Sequence, residues 1–121
     1  MTIRKILIVD DSPVERQFLL EALSRNGYEC VTAENGEEAV AKSKSETPDL
    51  ILMDVVMPGT SGFQATRAIS RDETTRDIPV ILCTSKNQDT DRIWGMRQGA
   101  RDYLIKPIDP KKLLTKIRTM G

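Results

Sequence analysis

The chain has 121 residues, 39% apolar and 30% charged, with 18 basic side chains balanced by 18 acidic ones. That size suits one globular domain, and a net charge of zero predicts attraction neither to nucleic acid nor to a membrane surface. No apolar run approaches the roughly 18 residues of a membrane-spanning helix, so membrane insertion is not expected.

Met1-Thr2-Ile3-Arg4-Lys5 enters a short strand without a signal-peptide pattern, so a cytoplasmic location is expected. Histidine is absent, which excludes imidazole catalysis and makes any metal site an all-oxygen one, favouring magnesium, calcium or manganese. Cys30 and Cys83 both fall inside apolar segments and are read as buried thiols packing as small hydrophobes.

Short apolar runs alternate with helix-like stretches along the whole chain. Ile3 to Val9 is nearly continuous in aliphatic residues, as expected of a strand covered on both faces. Ser12-Pro13-Val14-Glu15 then supplies a capping serine, a proline at the first helical position and a glutamate three residues on. Val14, Phe18, Ala22 with Leu19 and Leu23 make an apolar stripe, ended by Asn26-Gly27.

Tyr28 to Ala33 alternates like an edge strand. Asn35-Gly36-Glu37-Glu38 caps a second helix ending near Thr47-Pro48, and a third strand follows to Met53. Ser61-Gly62-Phe63-Gln64 is a second capping-box pattern. Ile78 to Cys83 reads as the fourth strand and Gln88 to Gln98 as the fourth helix. Arg101 to Ile105 is the fifth strand, and Asp109-Pro110 opens the last helix. This βα alternation predicts an α/β fold with right-handed crossovers and helices on both faces of a parallel sheet.

Four strands end in chemistry. Ile6 to Val9 runs into Asp10-Asp11, Leu50 to Met53 into Asp54, Val80 to Cys83 into Thr84-Ser85, and Tyr103 to Ile105 into Lys106-Pro107. In a parallel sheet, three acids, a hydroxyl and a lysine would converge beyond the carboxyl ends of the strands, where such sheets bind ligands. Carboxylates this close raise one another's pKa, and burial adds to the effect. A divalent cation relieves it: magnesium takes about six oxygens, waters and phosphate oxygens among them. Three acids, one magnesium and Lys106 sum to zero charge. An isolated Asp-Asp would read as helix N-capping; Asp54 and Lys106 at matching strand ends favour a metal and phosphoryl site.

The set Asp10-Asp11, Asp54, Thr84, Tyr103 and Lys106-Pro107 resembles the receiver domain of two-component signalling, the CheY-like response regulators. The resemblance covers the whole chain and implies a flavodoxin-like (βα)5 fold with strand order 2-1-3-4-5. It implies Asp54 as phosphoacceptor, with Asp11, Asp54 and the Val56 backbone carbonyl ligating magnesium directly and Asp10 assisting through water. Manganese or calcium would substitute. Thr84 and Tyr103 would be the switch pair, Lys106 the phosphate-sensing cation, and the Lys106-Pro107 bond cis. Val56 and Lys86, two residues beyond the phosphoacceptor and the threonine, stand at positions that vary in the family, and both bear on phosphoryl lifetime.

With no histidine of its own, the chain would take its phosphoryl group from a sensor histidine kinase in trans. Output is expected at the face of the fourth helix, fifth strand and fifth helix, which carries Arg92, Arg97, Arg101, Lys111, Lys112, Lys116 and Arg118. Trp94 is read either as a half-exposed interface anchor or as a shield over Gly95. Because the chain ends at Gly121 after the fifth helix, a single receiver domain without effector domain is expected, monomeric unless phosphorylation dimerises it. Its output would then be a protein contact, or it would act as a phosphorelay intermediate or phosphate sink. Phe63 to Arg67 and Ile93 to Tyr103 are similar to the PilH-type regulators of twitching motility and type IV pili.

The competing class is an enzyme, a magnesium-dependent phosphohydrolase with an aspartyl-phosphate intermediate. Those haloacid-dehalogenase-like enzymes carry a second acid two residues after a first-strand nucleophile, where this chain has Ser12. A flavodoxin-like electron carrier would need a hydroxyl- and glycine-rich first loop, and this one is anionic.

Overall fold

Five strands lie parallel in one sheet: β1 (Lys5–Val9), β2 (Glu29–Ala33), β3 (Leu50–Asp54), β4 (Val80–Thr84) and β5 (Asp102–Ile105), in the order β2-β1-β3-β4-β5. The helices between and after them are α1 (Pro13–Arg25), α2 (Gly36–Ser45), α3 (Gly62–Arg71), α4 (Asp89–Arg97) and α5 (Pro110–Met120). The computed structural model describes residues 2–85 and 89–120. Lys86 and the expected first residue of the fourth helix, Gln88, lie outside the described residues.

Strand alternation with period two sorts the core onto both faces. Leu7, Val9, Ile51, Met53, Val80 and Leu82 pack with Ala39, Ala65 and Ile69 of α2 and α3. Ile6, Ile8, Leu50, Leu52 and Ile81 pack with Leu19 and Leu23 of α1 and with Leu113 and Ile117 of α5. Each fully buried Leu or Ile is worth about 1.5–3 kcal/mol. β2 forms one edge, with Cys30, Val31 and Thr32 only partly covered.

Several boundaries and burials differ from expectation. β1 begins at Lys5, where the Asp49 carboxylate accepts the Arg4 and Lys5 N–H groups at 2.9 and 3.0 Å. The α1 stripe splits: Leu19 and Leu23 are buried, whereas Val14 is 79% and Phe18 48% exposed. Those two line a groove with Pro107 and Ile108 instead of facing the sheet. Cys83 is buried, but Cys30, on edge strand β2, is only half-buried; both are free. The Lys106–Pro107 peptide is cis, as the resemblance implies.

Helix starts follow the sequence signals. Asn35 accepts the Glu38 N–H at 2.8 Å at the start of α2. Ser61 and Gln64 make the full reciprocal box at α3, at 3.2 and 2.9 Å. Trp94 is 50% exposed. Beside it, Gly95 is buried: a Cβ there would meet Leu82 Cδ1 at 2.5 Å, with the Phe63 and Tyr103 rings next.

The first residue of α3 fixes its distance from the site. A Cβ on Gly62 would stand 2.0 Å from the Asp54 carbonyl oxygen, and the Gly62 N–H donates to the Val55 carbonyl at 2.9 Å. The obstacle is backbone, so it cannot rotate away. Gly62→Ala is expected to destabilise the protein by about 1–3 kcal/mol in urea denaturation, the range for overpacking; an unchanged midpoint would show that α3 can slide.

Candidate functional site

The sheet register brings the four strand ends to one rim. Val9 is level with Met53, Asp54 with Cys83, and Thr84 with Ile105. Asp10 and Asp54 therefore leave adjacent strands at the same height. The Lys106 N–H donates to the Thr84 carbonyl at 2.8 Å, fixing the lysine one residue beyond β5. Asp10 is 1% and Asp54 5% exposed, while Asp11 is open to solvent.

Lys106 joins the buried acids. Its Nζ lies 3.0 Å from Asp10 Oδ2, 3.2 Å from Asp54 Oδ1 and 2.8 Å from Glu15 Oε2. Burial alone would lower the ammonium's pKa. The hydrogen bonds it donates to Glu15 and Asp10 and the charges of Asp10 and Asp54 outweigh that, holding it above its usual value. Asp54 moves the other way: burial first, then the Asp10 charge, raise it from 3.8 to about 6 despite Lys106. One cation is too little for these carboxylates.

Asp10, Asp11 and Asp54 each offer an oxygen, all within 4.8 Å of one another. An all-oxygen donor set with surplus negative charge fits a hard divalent cation. Both Asp10 oxygens are already engaged, Oδ1 by the Ser12 N–H at 2.9 Å and Oδ2 by Lys106. Asp11 and Asp54, unlike Asp10, line the adjoining cleft. This cleft of about 440 Å³ is lined by Asp11, Glu15, Asp54, Val56, Ser85 and Lys106, with Pro107 at its edge.

Thr84 ends β4 on the sheet's other side, and Tyr103, level with Leu82, lies on that side too. Thr84 shares strand parity with Val80 and Leu82, whose face also holds Tyr103. Both are buried. The Tyr103 ring is already inside, under the Arg92 guanidinium at 5.9 Å. On the expected output face, Arg92, Arg97, Arg101, Lys111, Lys112 and Arg118 are exposed, while Lys116 is half-buried and bound to Asp102 at 2.9 Å.

Sequence reasoning missed two members. Glu15 reads as a capping-box partner, yet the Ser12 N–H goes to Asp10 and Glu15 reaches Lys106. Arg16 donates to the Asp10 carbonyl at 2.8 Å and pairs with Glu34 at 3.5 Å, bracing the first strand's end. The signal for both was position: the first turn of α1 starts two residues past Asp11 and faces the same rim.

Comparison with known proteins agrees with this geometry. Residues 6–118 match the response regulator receiver domain. Protein PilH of Pseudomonas aeruginosa is 53% identical over 116 residues, 96% of each chain. The phosphate regulon transcriptional regulatory protein PhoB of the same organism is 43% identical, over 97% of this chain and 51% of its own length. Among solved structures, the chemotaxis protein CheY4 of Vibrio cholerae superposes with a TM-score of 0.92 at 32% identity, covering 99% of this chain and 100% of that one. The receiver domain of a sensor histidine kinase from Pseudomonas aeruginosa PAO1, solved with a magnesium ion coordinated in its active site cleft, gives 0.89 at 31%, covering 98% and 97%.

The raised Asp54 carboxyl has a consequence for stability. A carboxyl whose native pKa, about 6, exceeds its unfolded value, 3.8, binds more protons folded than unfolded in between. Stability of the metal-free protein therefore falls as pH rises through that window and stays lower above it. Asp54→Asn removes the deficit. In urea with EDTA near pH 7.5 it should be about 1–3 kcal/mol more stable than wild type, the gap closing toward pH 4; a less stable Asn variant at pH 7.5 contradicts this.

Proposed function

This chain belongs to the response regulator receiver domain family, and from that premise we propose that it accepts a phosphoryl group on Asp54 from the phosphohistidine of a sensor kinase in trans. The observation that carries the reading is the Asp54 carboxylate at the end of β3, buried, 3.2 Å from the Lys106 ammonium and clustered with Asp10 and Asp11. The donor comes from another chain because this one has no histidine.

In the proposed step an Asp54 carboxylate oxygen attacks phosphorus in line. A P–O bond forms as the P–N bond to the donor imidazole breaks, and the leaving nitrogen takes up a proton. Lys106 donates to the transferring oxygens as their charge rearranges, and the buried rim limits water. Asp11, Asp54 and the Val56 carbonyl would hold magnesium, with Asp10 acting through water. That outer role for Asp10 is supported by its two oxygens being already bonded. When bound, the metal neutralises charge on the phosphoryl oxygens.

After transfer, the Thr84 hydroxyl closes on the phosphoryl group and Tyr103 repacks behind it. This biases a two-state equilibrium at the face of α4, β5 and α5. Ile93, Trp94 and Met96 are exposed on α4, which supports a protein–protein output there with Trp94 as anchor. The chain is a signalling acceptor in this reading, with at most intrinsic self-phosphorylation and self-dephosphorylation, and it acts in the cytoplasm. The 53% identity to PilH supports a place in type IV pilus motility control.

Radiolabelled acetyl phosphate with magnesium tests the acceptor. Wild type should take up label that is released by hydroxylamine, as an acyl phosphate is. Asp54→Asn, or wild type in EDTA, should stay at background; equal labelling of the Asn variant refutes the assignment.

A further inference from the structure

Asp10, Asp11, Asp54, Lys106 and one divalent cation balance to zero charge, and Glu15 stands outside that sum. Its Oε2 is nevertheless the acceptor nearest Lys106 Nζ, at 2.8 Å, against 3.0 Å for Asp10 and 3.2 Å for Asp54. An ammonium has three N–H donors, so these carboxylates engage all of them. Glu15 is free to do this because its capping role is not filled: the Ser12 N–H is taken by Asp10. The Ser12 hydroxyl, accepting the Glu15 N–H at 3.3 Å, keeps the residue on the first turn of α1, beside the cleft.

On the reading of Asp54 as phosphoacceptor, we propose that Glu15 is a positioning residue that competes with the phosphoryl group for Lys106 and so holds down the rate and steady level of phosphorylation. Phosphorylation of Asp54 extends new oxygens into the cleft that Glu15 and Lys106 both line. It also spends the Asp54 carboxylate and frees one Lys106 N–H; for Lys106 to donate a second, another carboxylate bond must open. Asp10 is a poor candidate, since release would strand a carboxylate that is 1% exposed without its cation. The Glu15 side chain is 47% exposed, and water replaces its partner at small cost. Glu15 is the arm that yields.

A half-exposed ion pair of this kind is worth about two- to fivefold in an equilibrium. The test is labelling by acetyl phosphate at saturating magnesium for wild type, E15Q, K106M and E15Q/K106M. E15Q should raise the initial rate and the steady level of label by about two- to fivefold. That gain should vanish in the K106M background, a dependence that neither a folding role nor bulk charge would produce. Beryllofluoride binding, followed by Trp94 fluorescence, repeats the cycle where K106M labels too slowly to time. An E15Q rate at or below wild type overturns the proposal, and so does the same gain on top of K106M. If folded wild type takes no label, the acceptor reading of Asp54 falls and this inference with it. If wild type labels and E15Q is indifferent, only Glu15 loses its role.

Discussion

The ammonium of Lys106 is shared by carboxylates from the end of β1, the end of β3 and the first turn of α1. Asp10 is 96 residues away in the chain. The contact exists only when β5 is laid on β4 with Thr84 level with Ile105, and β1 lies beside β3 with Val9 level with Met53. Two of the acids are nearly excluded from water, so losing the cation would leave buried charge uncompensated. Removing one partner of a buried pair typically costs about 3–5 kcal/mol. The Glu15 arm, half in solvent, is worth far less. The site is thus a consequence of sheet closure, and its acids are tolerated because the last strand delivers a cation to them.

The helices stay close because their contact residues are small. Gly62 lets α3 begin against the Asp54 carbonyl, and Gly95 lets α4 rest on Leu82 and the Tyr103 ring. The second contact ties the inner face of α4 to the strand that ends in Thr84. A change at the rim that moved Thr84 or Tyr103 would meet α4 through packed atoms, and densely packed interfaces tend to shift between discrete arrangements. Ile93, Trp94 and Met96 ride on that helix in solvent.

Strand order came with the family resemblance; the parallel sheet, helix placement and the convergence of Asp10, Asp11, Asp54 and Lys106 were legible because they follow from alternation and from what ends each strand. Side-chain choice among local partners was not. Glu15 at the third helical position satisfies a capping pattern, and nothing in the local sequence says that Asp10 takes the Ser12 N–H first. Val14 and Phe18 continue an apolar period that the sheet does not use, because α1 turns only Leu19 and Leu23 inward. Cys30 looked buried because its neighbours are apolar, but edge strand β2 leaves it half-covered. Each miss concerns a competition decided by tertiary geometry.

The central claim is that the carboxylate rim carries more negative charge than Lys106 offsets and is completed by a divalent cation. Calorimetric titration of magnesium into the metal-free protein, repeated in buffers of different ionisation enthalpy, measures the protons released on binding. With Asp54 titrating near 6, binding should release about half a proton at pH 6 and almost none at pH 8. Magnesium binding with no proton release at pH 6, or no binding at all, would contradict the account.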